Sequence, residues 1–164
     1  MKNDKFLISI IIGIVALAVL AVALVLARGR GENYVADDTP AGVARNYFLA
    51  VQRRDYQKAY NYLSDNLKNK PTLDDFISVV SNKYNGGNTE AALKVGETTL
   101  TGDVATVDLI ITSYTGGGPL ESNRYADTNT AQLRRNAQGD WKLTGYPHPY
   151  WGYNWNEEKK SSTN

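Results

Sequence analysis

AGVARNYFLAVQRRDYQKAYNYL, residues 41–63, reads as two helices joined at an aspartate. Val43, Tyr47 and Val51 fall on one face at helical spacing, and Ala44 and Phe48 widen it. Thr39-Pro40 opens the first helix, Thr39 as N-cap and Pro40 at the first helical position. Asp55 interrupts the pattern and caps the second, whose apolar face is Tyr56, Ala59, Tyr60 and Leu63. The polar run Asp65 to Lys70 turns the chain. Beyond Pro71, Thr72 and Asp75 have the spacing of a capping box with Asp in place of Glu. Leu73, Phe76, Ile77 and Val80 give a third helix its buried stripe, and Asn85-Gly86-Gly87 ends it.

Downstream the period changes from helical to alternating. ALKVGETTL, residues 92–100, is an irregular strand, and Gly102-Asp103 turns it. In VATVDLIITSY, residues 104–114, Ala105, Val107, Leu109 and Ile111 face one way and Thr106, Asp108 and Thr112 the other. Gly116 to Pro119 breaks that strand; with no Lys-Ser/Thr and no helix after it, it is not a phosphate loop. ADTNTAQLRR (126–135) and DWKLTGY (140–146) form a hairpin around Asn136 to Gly139, in which Ala131 and Leu133 meet Trp141 and Leu143. Loops this short permit only antiparallel neighbours. The expected fold is α+β: about three helices on one face of a curved antiparallel sheet of about four strands.

Ahead of this domain, Phe6 to Ala27 carries no charge, and Ser9 is its one clearly polar residue. At about 1.5 Å per residue, such a run suffices for the hydrocarbon of a bilayer. It reads as a transmembrane anchor (6–27) behind a short flank (1–5). A cleaved signal ending at Val25-Leu26-Ala27 is the competing reading, disfavoured by length. Lys2 and Lys5 before it nearly balance Arg28 and Arg30 after it, so the following cargo decides the orientation. The expectation is a single-pass protein at the cell membrane with its C-terminal domain extracytoplasmic. Ser9 and Gly13 make a small-xxx-small pair of little weight. Residues 28–38 read as a linker, 39–155 as the domain with an aromatic extension, and 156–164 as a disordered tail.

Composition narrows the function. Of the 18 basic and 17 acidic residues, Lys2, Lys5 and Asp4 precede the apolar run; the remaining 16 and 16 balance, with no basic block, which argues against nucleic acid as a partner. Cysteine is absent, so disulfides, thiolate metal sites and a Cys nucleophile are excluded. One His leaves little for zinc or iron, and neither a metal nor a cofactor is expected.

Three stretches together resemble a known family. The pattern A-x-x-Y-F-x-A-V-x-x-x-D-Y-x-x-A-Y-x-x-L is matched by Ala44, Tyr47, Phe48, Ala50, Val51, Asp55, Tyr56, Ala59, Tyr60 and Leu63. With the hairpin GDWKL (139–143) and the strand DVATVDL (103–109), it looks like a nuclear transport factor 2-like domain over residues 39–146. The resemblance implies a cone-shaped sheet wrapped on helices around an open pocket. It implies no single activity: ketosteroid-isomerase-like and polyketide-cyclase-like enzymes, transport factors and membrane-anchored domains share the fold.

An enzyme of this shape needs an acid or base in the cone and a hydroxyl donor. Asp108, Asp127, Tyr114, Tyr125 and His148 are the residues of the right type, and no family motif makes any of them catalytic. Asp127 begins a strand, where Asp is ordinary turn chemistry, and His148 lies between two prolines. YPHPYWGYNW, residues 146–155, is the most unusual stretch. Its rings either fold back to cap the open end of the sheet or form a surface for a protein or glycan partner. Candidate pocket or partner contacts are therefore Asp108, Tyr114, Tyr125, Tyr150, Trp151, Tyr153 and Trp155. The favoured role is a non-catalytic binding or assembly module held in lipid through residues 6–27. The alternatives are a pocket enzyme or ligand-binder of isomerase or cyclase type, and a tether whose aromatic tail recognises a partner.

Overall fold

A computed structural model describes residues 3–28, 32–85, 89–116, 122–146 and 150–156. The chain divides into two compact units, Met1–Asn33 and Tyr34–Asn164. In the first, helix α1 spans Asn3–Arg28, about 39 Å at 1.5 Å per residue. Its large apolar side chains from Ile8 to Val22 stand exposed. Over the residues whose side chains are described, no helix is both long and apolar enough to cross a membrane. The helical backbone itself runs past those residues at both ends.

The second unit has α2 (Pro40–Gln52), α3 (Tyr56–Asn61) and α4 (Leu73–Asn85), then β1 (Thr89–Thr101), β2 (Val104–Gly116), β3 (Ser122–Arg135) and β4 (Trp141–Gly145). The strands form one antiparallel meander, β1-β2-β3-β4. Register shifts between Val95 and Thr98 and between Gln132 and Leu133 bend it. The expected α+β architecture is present. β1 starts before Ala92 and β3 before Ala126, because each pairs along nearly the whole of β2.

Local chemistry sets the helix starts. The Thr39 hydroxyl accepts from the Gly42 N–H at 3.1 Å, and the Asp55 carboxylate from the Lys58 N–H at 3.3 Å. The Thr72 hydroxyl accepts from the Asp75 N–H and donates to the Asp75 carboxylate at 2.8 Å. The Asn136 side chain accepts from the N–H groups of Gln138 and Asp140, closing the β3–β4 hairpin, where Gly139 takes φ of 90°.

The helices cover one face of the sheet. Val43, Tyr47, Phe48 and Val51 of α2, Phe76 and Val80 of α4, and Ala105, Val107, Leu109 and Ile111 of β2 are all buried there. Tyr62 to Ser64 run beside β4: the Leu143 N–H donates to the Tyr62 carbonyl and the Ser64 N–H to the Leu143 carbonyl.

The end of the segment read as a linker is fastened to the domain. Asn46, on α2 and buried, accepts from the Val35 N–H at 2.9 Å and donates to the Val35 carbonyl at 2.7 Å. The Tyr34 ring carries the Lys58 ammonium at 3.9 Å on its face, and its hydroxyl donates to Asp55. Tyr62 donates to Asp37 at 3.4 Å. The second compact unit begins at Tyr34.

Candidate functional site

Aromatic rings of the C-terminal extension pack into the core of the second unit, against α2 and α4. Tyr146, Tyr150, Trp151 and Trp155 from the C-terminal extension are buried against Tyr47, Phe48 and Phe76. Trp155 stacks on Phe76 at 5.5 Å between centroids and meets Trp151 edge-on at 5.0 Å. Tyr150 meets Phe48 edge-on at 4.8 Å. The chain takes this path because Gly152 admits it: a Cβ there would lie 2.0 Å from the Trp155 ring. Polar tethers hold the outside. Asn69 donates to the Asn154 carbonyl at 2.9 Å, and Trp151 donates its indole N–H to Asn156 at 3.2 Å. Asn156, expected in a disordered tail, thus takes part in the fold; residues 157–164 lie outside the described residues.

Two tyrosine hydroxyls meet different fates within this cluster. Tyr47 donates to the Tyr150 carbonyl at 2.5 Å. The Tyr146 hydroxyl is buried and has no hydrogen-bond partner among the described residues. Burial pushes both hydroxyls well above the usual tyrosine range, because a phenolate there would lack solvation. Burial likewise raises Tyr150. Besides tyrosine, the buried polar side chains are Asn46, Ser64 and Thr112 among the described residues.

Of the candidates named from sequence, Tyr150, Trp151 and Trp155 come together in the core, and Asp108, Tyr125 and Tyr153 are exposed. Asp108 is exposed on the outer face, opposite the β1 bulge, and accepts from the Thr130 hydroxyl at 3.3 Å; it is not in the cone. Tyr125 is exposed at the far end of β3, beside the exposed Asp127, which accepts from Asn129 at 3.1 Å. Tyr150, Trp151 and Trp155 are interior, and Tyr153 stands out at 86% exposure. The rings fold back as a cap; as a recognition surface the extension retains Tyr153. The Tyr114 side chain and His148 lie outside the described residues, as do Gly86, Gly87 and Gly117 to Pro119. No group of three His, Asp or Glu side chains among the described residues is arranged to hold a metal ion.

Sequence reading missed Asn46, although a polar residue on an apolar helix face was the available signal. It also missed two cavities on the outside of the domain. One, of about 370 Å³, lies between the Val35–Thr39 segment, Arg45 of α2 and Val95 of β1. The other, of about 450 Å³, opens on the outer face where β2, β3 and β4 meet the Ser64–Asn66 loop.

No protein-family model matches the chain, and no curated protein matches it by sequence. Solved structures do match in shape. A SEC-C motif-containing protein from Rhodopseudomonas palustris aligns over 73% of this chain and 82% of its own, at 20% identity and a TM-score of 0.50. A protein from Thiobacillus denitrificans, described as a calcium/calmodulin-dependent protein kinase type II association domain, aligns over 65% and 90%, at 13% identity and a TM-score of 0.50. One from Campylobacter jejuni, described as an NTF2-like transpeptidase, aligns over 64% and 96%, at 16% identity and a TM-score of 0.44. Identities this low speak for fold and not for activity. The second unit is an α+β domain, three helices on a curved open antiparallel sheet, consistent with the nuclear transport factor 2-like fold that its sequence resembles.

Proposed function

We propose that this chain is a membrane-tethered, extracytoplasmic binding or assembly module without catalytic activity. One observation supports the non-catalytic part: the chain's own rings occupy the core beside α2 and α4, with Tyr146, Tyr150, Trp151 and Trp155 all under 5% exposed. A reacting substrate needs that volume and an ionisable group facing it. Asp108, the acid of the best-patterned strand, faces away. The tether rests on the uncharged run Phe6 to Ala27, on the helical backbone of Asn3–Arg28, and on the exposed apolar side chains of its middle.

A second reading, a small-molecule binder of isomerase or cyclase type, draws on the unmet Tyr146 hydroxyl, a donor that a ligand acceptor would satisfy. It requires the tail to leave the cone.

The absence of cysteine gives a clean test. Tyr153→Cys places one thiol at the most exposed ring of the extension. In intact cells an impermeant maleimide is expected to label it, and the labelled chain is expected to stay with membranes through an alkaline carbonate wash. Labelling only after lysis would reverse the orientation, and release by carbonate would remove the tether. An apolar dye that gains fluorescence on binding the native full chain would favour the second reading.

A further inference from the structure

The cavity on the outer face is built from the strand side chains that the core does not use. Alternation puts Ala105, Val107, Ala131, Leu133 and Leu143 inside. It therefore puts Thr106, Gln132, Arg134 and Thr144 on the other face. Pairing brings them together: Thr106 lies opposite Gln132, and Val104 opposite Arg134. The far wall is the chain after α3. Its bonds to Leu143 hold it beside β4, and the Asn66 N–H then donates to the Ser64 hydroxyl at 3.2 Å, turning both residues into the lining.

The lining is unusual in its chemistry. Of its seven residues, five carry hydroxyls or amides, one is Val104, and one is Arg134; no ring and no carboxylate is among them. The neighbouring Asp65 is engaged by Lys70 at 2.6 Å. Among the described residues, the Arg134 guanidinium has no ion pair or hydrogen bond, though its backbone pairs with β2 and β4. A groove with one guanidinium and several neutral donors and acceptors suits a ligand with one carboxylate and many hydroxyls. A single guanidinium grips one carboxylate through two parallel bonds. Lys142, opposite Arg134 on β4, gives its ammonium to the Asn61 carbonyl at 3.0 Å, which leaves one guanidinium in the lining, where a phosphate dianion would ask for more positive charge.

We propose that this groove binds an acidic sugar, a uronic acid residue, with its carboxylate on Arg134 and its ring hydroxyls on Thr106, Gln132, Thr144 and the Ser64–Asn66 loop. The assignment deepens the binding-module reading by giving it a place and a ligand class. It does not depend on the tether or on which side of a membrane the domain faces.

The test is calorimetric titration of the full chain in detergent micelles with glucuronic acid and with a short oligouronate, alongside amide chemical-shift mapping. Binding is expected, with shifts centred on Thr106, Gln132, Arg134 and Thr144. Arg134→Gln, at an exposed position, is expected to keep the fold and weaken binding by roughly tenfold or more. Glucose, which lacks the carboxylate, is expected to bind at least as weakly to the unaltered chain. Tighter binding of the oligouronate than of the monomer would identify a polymer as the source, and equal binding the free sugar. No heat and no shifts with either uronate, shifts confined elsewhere, unchanged affinity in Arg134→Gln, or inorganic phosphate binding as well as the uronate would each overturn the proposal. Failure here leaves the Tyr153→Cys labelling result untouched, so the two readings fail separately.

Discussion

Removing one oxygen from each of two neighbouring tyrosines is expected to move stability in opposite directions. The rings of Tyr47 and Tyr146 lie 4.9 Å apart, both buried. In Tyr47→Phe a buried bond to the Tyr150 carbonyl is lost. That costs about 1–2 kcal/mol, since a made bond inside the protein is exchanged for a desolvated acceptor. In Tyr146→Phe no bond to a described residue is broken, because the hydroxyl has no partner among them. Its desolvation on folding simply disappears, and the domain gains about 1–3 kcal/mol. The two variants should therefore differ by at least about 2 kcal/mol, or several degrees in Tm for a domain this size. Urea unfolding of the full chain, followed by tryptophan emission and far-ultraviolet dichroism, measures both. Equal destabilisation by the two substitutions would refute the reasoning, because it would mean that the Tyr146 hydroxyl is bonded in solution.

Three further outcomes follow from the same geometry. Asn46→Ala removes both bonds that hold Val35; a loss of about 2 kcal/mol is expected, with new protease cleavage between residues 34 and 38 as the direct readout. Gly152→Ala drives a methyl into the Trp155 ring, and overpacking of this kind costs about 1–3 kcal/mol, seen as a lower urea midpoint with Trp155 emission shifted to the red. Alkaline titration reports on the buried tyrosines together, Tyr47, Tyr146 and Tyr150 among them, and on Tyr62, which burial, and then the Asp37 carboxylate, push up to about 12. The folded state keeps that proton longer than the unfolded chain, whose tyrosines release theirs near 10. The contribution is thus full below about pH 10 and fades as pH climbs toward 12, so urea midpoints should be level to pH 9 and fall beyond 10.

Much of the fold was legible because its signals are local. The α2 stripe of Val43, Tyr47 and Val51 and the β2 alternation each need only a period, and both are buried as that period requires. The Thr39 and Asp55 caps act within three residues of themselves. What escaped depends on parts of the chain far apart in sequence. The Asn46 clasp joins residues eleven apart across a helix start, and a mid-helix asparagine looks like any solvated polar residue until its face is counted. The groove at Arg134 exists because residues 62–66 return to β4, some eighty positions later, and no pattern in either segment announces the other. The composition of the aromatic extension left a cap and a partner surface both open; the burial of Tyr150, Trp151 and Trp155 depends on ring contacts with Phe48, Tyr47 and Phe76, some eighty to a hundred residues away.

The measurement closest to the centre of this account is acrylamide quenching of the native full chain. The protein has three tryptophans, and all of them, Trp141, Trp151 and Trp155, are buried. With the cone sealed by its own tail, native emission should lie to the blue and be quenched several-fold less readily than that of the urea-unfolded chain. A native protein in which about two-thirds of the emission is quenched as readily as in the unfolded state would place Trp151 and Trp155 in water, and the sealed cone would be wrong.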